Sequence, residues 1–245
     1  IPSRKELDAT RQDSVEAYLK QHQPNWVVVA AAKVGGIYAN SSYKVDFLYD
    51  NVMIAANLIK ASYQTGVENL LFLGSTCIYP KLAPQPIVEE SILTSALEST
   101  NEAYALAKIV GLKLCEYYKQ QHGMNYFSAM PSNLYGPGDN YHVENSHVLP
   151  ALIRKFHEAK EASLDQVVIW GTGKALREFM YVDDLAQACV FLMGHNDSYS
   201  MVNIGSGEEV SILDLAKLVG KEVGFEGKIV HDLSKPDGTP RKKTD

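Results

Sequence analysis

The sequence predicts an α/β protein built on a doubly wound parallel sheet, and three observations predict it. Short, continuously apolar runs alternate with amphipathic helical segments along most of the 245 residues. Those runs favour β-branched residues and lack polar alternation, as expected of strands covered on both faces. Turn residues punctuate the junctions between the two kinds of segment.

Val15 to Gln21 reads as a helix stopped by Pro24, and Trp26 to Ala31 as a buried strand. Val45, Leu48, Val52, Ala56, Ile59 and Tyr63 recur at helical spacing, with Gly66 where a C-terminal cap belongs. A second strand is expected over Asn69 to Leu73, running into Gly74-Ser75-Thr76-Cys77, then a surface loop from Pro80 to Pro86. A helix from about Tyr104 to Gln121 stops at Gly123, and Tyr126 to Met130 forms another strand. Beyond a loop-like stretch from Pro137 to Asn145, helices are expected at His147 to Lys160 and Asp183 to Met193, with strands at Val167 to Trp170 and Met201 to Ile204. Ser211, with Asp214 three residues on, is an N-cap opening a helix to about Val223.

Composition narrows the function. A formal charge of −6 argues against a nucleic-acid partner, which calls for a basic face. No apolar run approaches the ~20 residues that span a bilayer, so no membrane partner is expected. The three cysteines, Cys77, Cys115 and Cys189, are too scattered for a disulfide framework, and a reducing, cytoplasmic setting is the simplest reading. His22, His122, His142, His157, His195 and His231 show no ligand spacing with Cys, Asp or Glu, so no metal site is expected. Cys115 and Cys189 sit on apolar helix faces and read as core.

Tyr104-Ala105-Leu106-Ala107-Lys108 places a phenol and an ammonium one helical turn apart on one face. A cation beside a tyrosine is expected to favour the phenolate and equip the pair for proton exchange with a carbonyl oxygen. Alone the spacing is common by chance. Ser75, about thirty residues earlier at the carboxyl end of a strand, makes the joint signal strong, because ligands of doubly wound sheets bind at that edge. Together they indicate carbonyl chemistry beside a nicotinamide.

These residues sit in longer blocks: Ala30 to Ile37, Leu71 to Pro80, Tyr104 to Lys108, Met130 to Pro137, Asn145 to Pro150 and Lys235 to Lys242. Along them the chain resembles the extended short-chain dehydrogenase/reductase family, in its GDP-L-fucose synthase branch. The resemblance implies an NADP-dependent oxidoreductase and isomerase of nucleotide-sugar biosynthesis. It would convert GDP-4-keto-6-deoxy-D-mannose to GDP-L-fucose by C3/C5 epimerisation and C4 reduction. It implies catalytic roles for Ser75, Cys77, Tyr104, Lys108 and His147, with Cys77 and His147 as the epimerising acid/base pair. It places the cofactor against Ala31, Ala32, Leu73, Gly74, Ser75, Tyr104, Lys108, Pro131, Asn133, Leu134 and His147, and the GDP-sugar against Asn133, Lys155, Trp170, Arg177 and Asp237. It also implies a homodimer pairing helices near residues 45–63 and 104–122.

The sequence departs from that pattern in places. A dinucleotide-binding sheet opens with a strand, a glycine-rich turn and a helix N-terminus that takes the pyrophosphate. Val34-Gly35-Gly36 follows a later strand and has other spacing. The expected fold is therefore a Rossmann-type sheet with its N-terminal unit missing and a smaller C-terminal substrate lobe. Residues 1–140 would form an incomplete dinucleotide-binding domain. Residues 141–245 would form mainly a truncated substrate lobe, with some elements returning to the main sheet. Ser132 stands where the family has threonine, and Tyr181 where it has histidine. NADP over NAD is inherited from the resemblance alone. Competing readings are a nucleotide-sugar 4-epimerase or 4,6-dehydratase, and a non-catalytic fragment or interaction module. A dehydratase would carry an acidic residue just after the strand-end hydroxyl, and Thr76-Cys77 supplies none.

Overall fold

The computed structural model describes residues 1–143, 145–195 and 199–245; Glu144, in the expected boundary stretch, lies outside the described residues. In chain order the first elements are α1 (Gln12–His22), β1 (Trp26–Val29), α2 (Ile37–Ser42), α3 (Lys44–Gln64), β2 (Asn69–Leu73), α4 (Glu102–His122), β3 (Asn125–Pro131) and β4 (Asn133–Tyr135). They are followed by α5 (Val148–Glu161), β5 (Gln166–Trp170), β6 (Leu176–Tyr181), α6 (Val182–His195), β7 (Met201–Ile204), β8 (Glu209–Ser211), α7 (Ile212–Val223), β9 (Lys228–Asp232) and β10 (Arg241–Lys242).

The main sheet has the order β1-β2-β3-β7, and its three pairings are all parallel. Its strands read as unbroken apolar runs because both faces are covered. Leu70, Phe72 and Tyr126 pack on one side with Ile59 of α3 and Cys115 of α4. Leu71, Phe127 and Ala129 pack on the other with Leu185 and Cys189 of α6. Alternate residues of one strand thus reach opposite cores, so a polar residue at any of these positions would lose its water. Cys115 and Cys189 are buried in these cores, as their helix faces suggested.

A second apolar cluster joins α5, β5 and α7 through Leu152, Phe156, Val167, Ile169 and Leu215. Here β5 pairs parallel with β9, while β6 is flanked by β10 and β4 and takes β8 antiparallel. Ser211 caps α7 as expected: its hydroxyl accepts from the Asp214 N–H at 3.0 Å and donates to the Asp214 carboxylate at 2.7 Å.

Boundaries shift where tertiary contacts intervene. The first strand stops at Val29, because the Ala30 N–H turns back to the Val28 carbonyl at 3.2 Å. Helix α4 begins at Glu102, two residues before the expected start. Strand β6 carries Arg177 and Glu178 in an otherwise apolar run, which hides it from periodicity. Glu178 is nonetheless fully buried. Its carboxylate accepts from the Gly207 N–H (2.6 Å), the Thr244 N–H (3.2 Å) and the Thr244 hydroxyl (2.9 Å), tying the C-terminal strand to the sheet.

What places the site is the seating of α4 on β2. Gly111 faces the Phe72 ring so closely that a Cβ there would fall inside van der Waals contact with it. Replacing a mid-helix glycine with alanine ordinarily stabilises a helix by about 0.5–1 kcal/mol. At this position overpacking dominates, at about 1–3 kcal/mol. Gly111→Ala is therefore expected to lower the urea midpoint and weaken catalysis, even though it raises helix propensity.

Candidate active site

The carboxyl ends of β1, β2 and β3 lie at one edge of the main sheet. Just past β2, Ser75 is extended (φ −166°) and caps a single 3₁₀ turn, Thr76–Ile78, its hydroxyl accepting from the Cys77 N–H at 3.3 Å. That turn buries Cys77 two residues after the strand-end hydroxyl. Tyr104 and Lys108 project from the first turns of α4. Lys108 is buried, and its ammonium donates to the Leu73 carbonyl, the last of β2, at 2.7 Å. The same ammonium lies 5.6 Å from the Tyr104 ring centre and 4.9 Å from that of Phe72. Phe47 of α3 meets the Tyr104 ring edge-on at 6.5 Å between centres.

His147 is the N-cap residue of α5, and its exposed side chain lines the active-site cavity. Its segment is held by Gly36, whose N–H donates to the Asn145 carbonyl at 3.1 Å. A Cβ on Gly36 would collide with the Ser146 carbonyl, so the Val34-Gly35-Gly36 turn serves close packing beside His147.

A cavity of about 540 Å³ gathers these groups, within the size range of small-molecule sites. Ser75, Cys77, Tyr104 and His147 line it, and so do Asn133, Lys155, Trp170, Arg177 and Asp237. Lys108 stands behind Tyr104 rather than on the wall. Leu73, Gly74 and Pro131 lie at strand ends, Ala31 and Ala32 just past β1, and Leu134 in β4; none of these six touches this cavity. Asn133 donates to the Glu178 carbonyl at 2.9 Å. The Lys155 ammonium donates to the Val168 carbonyl at 3.1 Å and lies 5.7 Å from the Trp170 ring centre, with Lys235 at 5.4 Å. Arg177 donates to the Leu176 carbonyl at 2.7 Å, and Asp237 accepts from the Thr172 N–H (2.7 Å) and hydroxyl (2.9 Å). Glu98, Asn101, Lys235 and Lys242 also line the cavity and were not singled out from sequence. Lys242 is invisible to spacing arguments because only its pairing with Arg177 across β10 and β6 brings it there.

Burial governs the protonation states. It pushes the Tyr104 phenol up, reinforced by Cys77, so the expected lowering by Lys108 does not prevail. Lys108 itself is depressed to about 8 by desolvation, partly countered by Cys77. The Cys77 thiol is raised by burial, opposed by Lys242, the Ser75 hydroxyl and Lys108. His147 is lowered by desolvation, which Asp139 opposes and Lys242 reinforces, and the balance disfavours the imidazolium.

The wall fits a polar ligand. Asn40 Oδ1, Asn101 Oδ1, Ser132 Oγ and Ser146 Oγ are buried without a protein partner, and all four residues line the cavity. Such orphaned groups are uncommon, and their clustering suits a ligand rich in donors and acceptors. The Ser75, Tyr104 and Lys108 arrangement suits the nicotinamide–ribose end of a dinucleotide. Among the described residues no three His, Cys, Asp or Glu side chains gather as a metal site, and no helix is long and apolar enough to cross a membrane.

A parallel sheet with a serine at a strand end and a Tyr-xxx-Lys helix seated on it defines a dinucleotide-dependent enzyme of carbonyl chemistry. The chain belongs to the NAD dependent epimerase/dehydratase family, whose model matches residues 3–205. It is 59% identical over 240 residues to GDP-L-fucose synthase 1 of Arabidopsis thaliana, covering 98% of this chain and 74% of that protein. It is 49% identical over 254 residues to the GDP-L-fucose synthase of Escherichia coli (strain K12), covering 100% and 79%. Among solved structures, a GDP-L-fucose synthetase from Naegleria fowleri bound to NADP superposes with a TM-score of 0.90 at 31% identity, covering 100% of this chain and 75% of that one.

The depressed Lys108 carries a pH signature. Between pH 8 and 10.5 the unfolded chain holds a proton that folded Lys108 has released, so this residue's burial penalty disappears as pH rises through that window. Relative to Lys108→Met, the wild-type protein should gain on the order of 3 kcal/mol from pH 8 to 10.5. Urea unfolding of both proteins at the two pH values checks this; a constant difference would contradict it.

Proposed function

We propose that this protein converts GDP-4-keto-6-deoxy-D-mannose to GDP-L-fucose with NADPH, epimerising C3 and C5 and then reducing C4. The observation that carries the reading is the convergence of Cys77 and His147 with Ser75 and Tyr104 around one cavity. High identity to GDP-L-fucose synthases over nearly the whole chain supports the choice of sugar. NADPH, when bound, supplies the hydride.

The C4 ketone of the substrate acidifies the hydrogens on C3 and C5. Cys77 takes each proton as a thiolate, a form that burial opposes and Lys242, Ser75 and Lys108 favour. His147 returns a proton from the other face as the imidazolium, a form that desolvation opposes and Asp139 favours, and exchange with water resets both groups between the two epimerisations. In the reduction Tyr104 donates to the C4 oxygen. Its raised pKa keeps the phenol protonated until that oxygen becomes basic enough to take the proton. Ser75 hydrogen-bonds the same oxygen, and the Lys108 ammonium supports the phenolate left behind. Arg177 and Lys155 hold the anionic diphosphate, beside Trp170, Asn133 and the Asp237 loop. Ala31, Ala32, Leu73, Gly74, Pro131, Asn133, Leu134 and His147, with the catalytic residues, seat the cofactor.

The reading extends to organisation. Residues 1–140 act as the dinucleotide-binding unit and 141–245 mainly as the substrate unit, with β7 contributing to the main sheet. The enzyme works in the cytoplasm as a homodimer through α3 and α4. Their outer faces leave Val45, Tyr49, Leu106, Val110 and Tyr117 exposed at helical spacing, an apolar surface suited to a second copy. Val110→Glu should shift the protein from dimer to monomer in sedimentation; an unchanged mass would reject this surface.

Product analysis tests the chemistry. Incubation with GDP-4-keto-6-deoxy-mannose and NADPH in deuterated water should yield GDP-fucose labelled at C3 and C5. Cys77→Ser should lose that labelling while keeping part of its NADPH oxidation. If labelling survives intact, Cys77 is not the base.

A further inference from the structure

Glu98 and Glu178 are both buried carboxylates, and of the two only Glu98 lines the active-site cavity. Glu98 precedes α4 in a turn closed by the Asn101 N–H on its carbonyl at 3.1 Å. It is 6% exposed. Its Oε2 lies 2.8 Å from the ammonium of Lys81, whose side chain is 43% exposed. That ion pair is close but poorly directed, for Oε2 lacks a well-angled hydrogen bond. Oε1 meets only Thr100, at 3.5 Å to its N–H and 3.4 Å to its hydroxyl, the weak end of the hydrogen-bond range.

Desolvation opposes the charged form of Glu98, but Lys81 and Thr100 outweigh it and keep the carboxylate ionised. Lys81 in contact and Arg177 and Lys242 at longer range offset its charge. Oε1 nonetheless keeps accepting capacity that the weak Thr100 contacts do not fill, which is costly in a buried site unless something else donates to it. The donor is not a phosphate, because like charges would repel; Arg177 and Lys242 offer the nearby wall an anion prefers. What suits Glu98 is a neutral O–H beside the reacting carbons.

We propose that Glu98 is a specificity-determining residue whose carboxylate accepts a hydrogen bond from a ring hydroxyl, at C2 or C3, of the bound keto-sugar. This rests on the epimerase-reductase reading and names the sugar contact within it. A site built to hydrogen-bond a hydroxyl discriminates strongly against the analogue lacking it, since the buried acceptor is then left unpaired.

The test compares wild type and Glu98→Gln on GDP-4-keto-6-deoxy-mannose and on its 2-deoxy and 3-deoxy counterparts, following NADPH oxidation. The amide keeps the shape but loses the charge-assisted bond, so kcat/KM on the natural sugar should fall about tenfold. On the deoxy sugar that lacks the contacted hydroxyl, variant and wild type should match. Equal losses on all three sugars, or no loss on any, would overturn the proposal. Should Glu98→Gln not fold, as judged by its melting temperature, Glu98→Asp keeps the charge, withdraws the oxygens and is read by the same ratios. A wild-type protein inactive on the natural sugar overturns the underlying reading, and this proposal with it. An active wild type with unaltered discrimination in the variants overturns the Glu98 assignment alone.

Discussion

The hydrogen bond from the Lys108 ammonium to the Leu73 carbonyl links the helix that carries Tyr104 to the strand that leads into Ser75 and Cys77. Almost every feature of the site depends on this junction. A fully buried ammonium is expensive, and the carbonyl at the end of β2 is what makes its position tolerable. The Gly111–Phe72 contact one helical turn further on sets how closely α4 approaches. Phe47 of α3 then closes on the Tyr104 ring. Two helices and one strand end thereby hold a phenol, a hydroxyl and a thiol around one cavity.

The electrostatics of that cavity are a contest between burial and local charge. Burial raises Tyr104 and Cys77 and lowers Lys108, His147 and Lys242, so every one of these groups is pressed toward its neutral form. The cations oppose this at Cys77, and Cys77 opposes it at Lys108 and Lys242. Groups balanced in this way can change protonation state when a substrate brings its own charge and excludes water, as repeated proton transfer at C3, C5 and the C4 oxygen requires.

Reach across the chain completes the site. Gly36, in the segment after β1, packs on Ser146 and sets His147; β10, at the far end of the sequence, delivers Lys242 beside Arg177. The buried Glu178 secures this last strand through Thr244. A carboxylate far from the chemistry thus holds a cation near it.

Much of this was legible in the residues themselves. Unbroken apolar runs flanked by glycine mark β2 and β3, and Ser211 with Asp214 marks the start of α7, because covered strands and helix caps leave local patterns. The strand-end serine with Tyr104 and Lys108 indicated carbonyl chemistry for the same reason: their spacing is local. Strand β6 was not legible, since its Glu178 is buried only by virtue of partners at Gly207 and Thr244. Nor were the roles of Glu98 and Lys242, which depend on Lys81, Arg177 and a shared cavity. The direction of the Tyr104 shift also differed from expectation, because a nearby cation is visible in the sequence and the depth of burial is not. The sequence alone determined most of the strands and helices and the Ser75, Tyr104 and Lys108 set, which follow from short-range periodicity and spacing. Cys77 and His147 stood out only through the family resemblance. Only the tertiary structure decided which of those groups share a cavity and which charge state each prefers, because desolvation depends on every neighbour that packing brings.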